Sequence, residues 1–208
     1  MPAARESLLN AALVALGDLP WSAVRMVDVA SAAGVSRQTL YNEFGSKDGL
    51  ARALVRREAD RYLHGVERVL AQRTEAGDRL VALAQWTVAE AGERPLLRAL
   101  LTGCWGERMP APRPVRQGAV LCGLPAQRRA DARLPAPADL VATVRDRSVT
   151  ALGAGCQDGR AELAQRCELA VRLALSYVVA PVGEGVDRLV RGALGAVLSA
   201  RSPRAADR

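Results

Sequence analysis

The sequence predicts an all-α protein. Ala, Leu, Val and Arg are abundant while aromatic residues make up only 3% of the 208, which favours helices packed through aliphatic side chains. Apolar residues recur at i, i+3, i+4 and i+7 in one segment after another, beginning with Leu9, Ala12, Leu13 and Leu16. Gly, Ser and Pro stand where such segments would start and stop. These observations predict a three-helix N-terminal head, joined by a long fourth helix to a second, larger helical domain.

Residues 5–16 form the first predicted helix, ended by Gly17, and Leu19-Pro20-Trp21 connects it onward with Trp21 packed on the small core. Residues 22–26 lead into the second helix, where Asp28 lies near the positive end of the helix dipole. Val29, Ala30 and Ala33 keep helical spacing, and Gly34 falls where a left-handed residue stops a helix. Val35 fills the corner from inside, and Ser36 is placed to cap a new helix with its hydroxyl. Gly34-Val35-Ser36 is therefore the corner of a helix-turn-helix.

The third helix, from Arg37 to about Glu43, has its outer face aimed at a major groove. Leu40 and Phe44 share the inner face, leaving Arg37, Gln38, Tyr41 and Asn42 on the outer arc. Gln38 and Asn42 can pair bidentately with adenine, and Arg37 with guanine or a phosphate. Thr39 is small enough to approach the DNA backbone or a thymine methyl. Arg25 and Val27 near the second helix, with Ser36 and Lys47, complete the candidate DNA contacts. Taken singly, each would serve equally as a solvated surface residue; their spacing around the corner carries the reading. Gly45 closes this helix and Ser46 caps the fourth, residues 47–72, with Leu50, Leu54, Tyr62, Val66, Val69 and Leu70 as its buried stripe.

Read together, Ala30, Ala33, Gly34, Val35, Ser36, Arg37, Thr39, Leu40, Tyr41, Phe44, Ser46, Lys47 and Leu50 give A-x-x-A-G-V-S-R-x-T-L-Y-x-x-F-x-S-K-x-x-L. This string resembles the N-terminal domain of the TetR family of transcriptional regulators, over residues 5–60. The resemblance implies a repressor that binds a palindromic operator as a homodimer, with Tyr41 and Lys47 on phosphates. It also implies a second domain that varies with its ligand and changes the separation of the two heads.

Further along, residues 73–91 form an amphipathic helix with Leu80, Leu83, Ala84, Thr87 and Val88 inward, and Pro95 starts another that runs to near Gly106. Six prolines and many arginines over 107–137 predict a mobile insertion with a short helix around 125–132. Helices are expected again at 138–152, 160–179 and 184–200, with a loop at 153–159 and a frayed polar tail. The expected domains are 1–48, the DNA-binding head, and 49–208, the ligand-binding and dimerisation domain. Leu83, Trp86, Glu90, Leu101, Trp105, Met109 and Tyr177 are candidates to enclose a small apolar effector, with Glu90 and Arg98 as polar anchors. Leu169, Leu173, Tyr177, Val186, Leu189, Val190, Ala193, Leu194 and Val197 are candidates for a two-fold helical interface. Both sets would also serve as ordinary core.

The net charge of +7 does not by itself support DNA binding, because seven cationic and seven acidic side chains cancel over residues 1–60. Cys104, Cys122, Cys156 and Cys167 lack metal-ligand spacing and read as buried thiols; neither metal nor cofactor is expected. No apolar run spans a bilayer and no secretory pattern opens the chain, so a cytoplasmic location is expected. A single histidine and the lack of a phosphate loop or nucleophile elbow disfavour an enzyme. A ligand-independent architectural DNA binder is the alternative.

Overall fold

A computed structural model describes residues 2–111, 134–153, 159–181 and 183–199. Among these there are nine helices and no strand: α1 (Pro2–Asp18), α2 (Met26–Ala32), α3 (Arg37–Phe44), α4 (Lys47–Leu70), α5 (Ala76–Glu93), α6 (Pro95–Thr102), α7 (Pro137–Leu152), α8 (Arg160–Val179) and α9 (Val186–Ser199). The all-α class read from the sequence is the one observed. Helix α1 runs through Gly17 to Asp18, since one glycine costs a helix too little to end it against the burial of Leu16. Most of the Pro/Arg-rich stretch, the helix expected at 125–132, most of the loop at 153–159, Cys122, Cys156 and the tail lie outside the described residues. Of the other cysteines, Cys167 is buried as expected, but Cys104 is exposed. No described helix is long and apolar enough to cross a membrane.

The chain divides into two compact units, Met1–Asp60 with Gly103–Pro135, and Arg61–Thr102 with Ala136–Arg208. This differs from a division at residue 48, and backbone bonding explains part of the difference. The Trp21 N–H donates to the Arg108 carbonyl at 2.9 Å, and Arg108 Nη2 donates to the Asp18 carbonyl at 3.4 Å. The segment after α6 is thus part of the head.

In the first unit, Leu8, Leu9, Ala12 and Leu16 of α1 are buried with Val29 and Ala30 of α2, Leu40 and Phe44 of α3, and Leu50 and Leu54 of α4. This is one aliphatic core closed by a single phenylalanine.

In the second unit, α8 packs against α5 and α7, and α9 against α5 and α8. A polar pair lies inside it: the Tyr62 and Thr87 hydroxyls are 3.2 Å apart and buried, with Trp86 stacked on Tyr62 at 5.5 Å between ring centroids. The stripe expected to form a dimer interface is split by this packing. Val186, Val190 and Leu194 repeat every four residues and turn inward, where the protein covers them within one chain. They are core and are not available to a partner. Leu189 keeps 37% of its surface exposed, Ala193, Leu169, Leu173 and Tyr177 are half-buried, and the Val197 side chain lies outside the described set.

Burial pushes the Tyr62 phenol up to about 12, against a smaller opposing effect of its bond to Thr87. The folded state therefore keeps the proton where the unfolded chain loses it. Stability from this residue is complete below pH 10 and is lost as pH rises from 10 to about 12. Chemical denaturation across that window should show a steeper decline for the wild type than for Tyr62→Phe; parallel declines would refute the assignment.

Candidate nucleic-acid interface

The local chemistry of the corner fixes the direction of α3. Gly34 adopts φ +67°, a left-handed conformation that side chains with a Cβ rarely take, and so ends α2 and turns the chain. Ser36 sits in extended backbone, and its Oγ accepts from the Thr39 N–H at 3.1 Å. That is the N-cap expected from sequence. The Ser36 and Thr39 hydroxyls are also 2.9 Å apart. One O–H is used between them, so the pair retains one hydroxyl proton for an outside acceptor such as a phosphate.

The inner face of α3 is held at its far end. Phe44 is 2% exposed, and the Arg5 guanidinium lies 4.7 Å above its ring while pairing with Glu43 at 3.3 Å. A cation over an aromatic face, desolvated on one side, contributes on the order of 1 kcal/mol. Immediately beyond, α4 crosses so closely that a Cβ on Gly49 would lie 1.9 Å from the Phe44 carbonyl oxygen. Gly49 is what allows α4 to start there. The Ser46 hydroxyl caps α4 by accepting from the Gly49 N–H at 3.1 Å.

On the outer arc, Arg37, Gln38, Tyr41 and Asn42 are exposed together, as the helical spacing predicts. Gln38 Nε2 donates to Asn42 Oδ1 at 2.9 Å, so these two amides act as one unit. That bond takes one Gln38 amide proton and leaves the Gln38 oxygen and the Asn42 amide protons for outside partners. Thr39 is half-buried, and its hydroxyl lies 2.9 Å from that of Ser36. Arg25 is exposed but pairs with Asp28 at 3.2 Å, and Val27 is 40% exposed beside it. Lys47 is half-buried: its Nζ donates to the Ser22 carbonyl at 3.1 Å and lies 5.2 Å from the centroid of the Trp21 ring. Desolvation lowers the Lys47 pKa, with Asp48 acting in the opposite direction.

The candidate effector residues are distributed between the units. Trp105 and Met109 belong to the first, whereas Leu83, Trp86, Glu90, Leu101 and Tyr177 belong to the second. Leu83 and Leu101 are buried, Trp86 stacks on Tyr62, and Glu90 is paired with Arg94. Arg98, the other expected anchor, donates to the Val178 carbonyl at 3.2 Å. An open cleft of about 440 Å³ in the second unit is lined instead by Glu67, Thr143, Asp146, Arg147, Thr150 and Ala151. Sequence reasoning missed Arg5, Gly49 and Arg108, and gave Trp21 only a core role. A tryptophan following Pro20 in a connector was the one available signal among them.

The family model for bacterial regulatory proteins of the tetR family matches residues 8–54. Residues 8–54 are thus similar to the N-terminal domain of tetR-family regulators. An HTH-type transcriptional regulator, AlkX of Mycobacterium tuberculosis, is 43% identical over 102 residues, 48% of this chain and 47% of that protein. The match thus spans about half the length of that relative. Among solved structures, the TetR family repressor AlkX from Dietzia sp. has a TM-score of 0.55 at 21% identity, with 94% of both chains covered. Thermus thermophilus FadR, a TetR-family repressor solved with lauroyl-CoA, has a TM-score of 0.51 at 18% identity, with 98% of both covered. At these identities the likeness is one of TetR fold.

Replacing the cap in Ser36→Ala should cost about 1 kcal/mol of stability, from loss of the bond to the Thr39 N–H. Denaturant midpoints measure this, and an unchanged midpoint would exclude Ser36 as the cap that holds α3.

Proposed function

We propose that this chain is a TetR-family DNA-binding transcriptional regulator of the cytoplasm. In this reading it represses as a homodimer on a palindromic operator and is released by an effector with an apolar chain. The observation that carries the reading is the outer arc of α3: Arg37 and the joined amides of Gln38 and Asn42 stand exposed beside Tyr41, on a helix capped at Ser36 and anchored at Phe44. Base edges are the targets of Gln38, Asn42 and Arg37, and phosphates those of Ser36, Tyr41 and Lys47. Arg25 and Val27 flank them.

A head of this size reads only a few base pairs, so a two-fold partner supplies the rest of the specificity. Leu189, Ala193, Leu169, Leu173 and Tyr177 are the proposed contacts on α8 and α9. The apolar effector is supported by the aliphatic interior of the second unit, where Leu80, Leu83, Leu96, Leu97, Leu100 and Leu101 are buried. The names of structural neighbours add to this: Dietzia AlkX is implicated in n-alkane biodegradation, and T. thermophilus FadR was solved with lauroyl-CoA. Such a ligand would weaken operator binding by its differential affinity for the non-binding conformer.

The test is selection of genomic fragments by the full chain, followed by titration with lauroyl-CoA. The selected operator should be bound by the wild type, weakened several-fold by Tyr41→Ala, and released by the acyl-CoA. Failure to enrich any fragment would sink the DNA reading, and retention of the operator at saturating acyl-CoA would sink this effector. Separately, Leu189→Arg should give monomers in light scattering with the helical content intact, whereas Leu194→Arg, being in the core, should unfold the second unit. A dimer retained by folded Leu189→Arg would remove Leu189 from the interface.

A further inference from the structure

Lys47 is the sole lysine in a chain that otherwise carries its positive charge on arginine. The turn at residues 20–24 is fixed by its own backbone: Ala23 N–H donates to the Pro20 carbonyl at 2.9 Å and Val24 N–H to the Trp21 carbonyl at 3.2 Å. From the other side, the Trp21 N–H donates to the Arg108 carbonyl at 2.9 Å, so a segment more than eighty residues away in sequence pins the same turn. This one turn offers Lys47 two things at once, the face of the Trp21 indole at 5.2 Å and the Ser22 carbonyl at 3.1 Å.

We infer that Trp21 is a positioning residue for Lys47: ring and carbonyl hold the ammonium at the N-terminus of α4 so that its remaining N–H donors meet a DNA phosphate. An ammonium has three donors, and the Ser22 carbonyl takes one. The ring face satisfies the charge without consuming a donor, leaving two for a phosphate oxygen. A guanidinium would stack flat on the indole with its donors in a fixed fork, whereas the ammonium is a compact point charge with rotatable donors. The backbone bond at Arg108 makes the Gly103–Ala111 region part of the DNA-binding device. This inference rests on the DNA-binding reading and adds to it a residue outside the helix-turn-helix.

The experiment measures operator affinity of the full chain against salt concentration for the wild type, Trp21→Leu, Trp21→Phe and Lys47→Gln. Each phosphate contact contributes about 0.9 to the slope of log K against log salt. Trp21→Leu should lower the slope by about 0.9 per head, match Lys47→Gln, and weaken binding several-fold at physiological salt. Trp21→Phe, which keeps a ring face, should restore most of both. A fold defect alone would reduce the active fraction and leave the slope unchanged. With 13C-lysine, the single side-chain spin system should show Hε shifted upfield by the indole in the wild type, and at its random-coil position in Trp21→Leu. A wild type that binds DNA while Trp21→Leu keeps the full slope overturns the inference alone. A wild type that binds no fragment overturns the DNA reading beneath it.

Discussion

An eight-residue helix is too short to hold its shape in water, so α3 exists only because the rest of the head buries its inner face. Leu40 and Phe44 are the two side chains that do this, and both are almost wholly removed from solvent. Phe44 bears the greater share of the geometry. Its ring lies beneath Arg5 of α1, and its carbonyl oxygen occupies the space that only a glycine at residue 49 leaves open. The direction of the outer arc, and therefore of any groove contact, follows from where that one phenylalanine is seated. The Ser36 cap then sets the start of the helix, and Gly45 and Gly49 set how soon α4 may follow.

Much of this was legible in the sequence because it is local. The i to i+4 spacing of Leu40 and Phe44, the left-handed requirement at Gly34, and the caps at Ser36 and Ser46 are each written within a few residues. What was not legible depends on partners distant in sequence. Nothing about Arg108 in a Pro- and Arg-rich stretch signals that its carbonyl will accept the Trp21 N–H. Nothing in the apolar stripe of α9 says which of its residues one chain will cover. Val186, Val190 and Leu194 proved to be the four-residue repeat facing α5 and α8, while Leu189 was left outside. A wide apolar arc predicts burial but does not name the neighbour that provides it.

Charge in the head is likewise spent locally. Arg5 is committed to Glu43 and Phe44, Arg25 to Asp28, and Arg57 to Glu6 at 3.4 Å and Asn10 at 2.7 Å. An exposed pair such as Arg25–Asp28 is worth little to stability, but each of these pairs lowers the local positive potential. Because cations cancel carboxylates over residues 1–60, this stretch has little non-specific attraction to the phosphate backbone, which scales with phosphates neutralised. Its affinity must come from a few well-placed donors.

That requirement gives the placement of single groups more weight than their number. The joined amides of Gln38 and Asn42 lose less freedom on meeting a base pair than two independent side chains would, since their mutual bond favours one arrangement of the two. The ammonium of Lys47, held by the Ser22 carbonyl and the Trp21 ring, is preorganised in the same sense. Burial lowers the tendency of Lys47 to stay charged, so the indole face and a phosphate both act against that cost, and the phosphate gains more from a partly desolvated cation than from a fully hydrated one. With residues 1–60 carrying no net charge, such preorganised contacts are where specific binding can exceed non-specific binding.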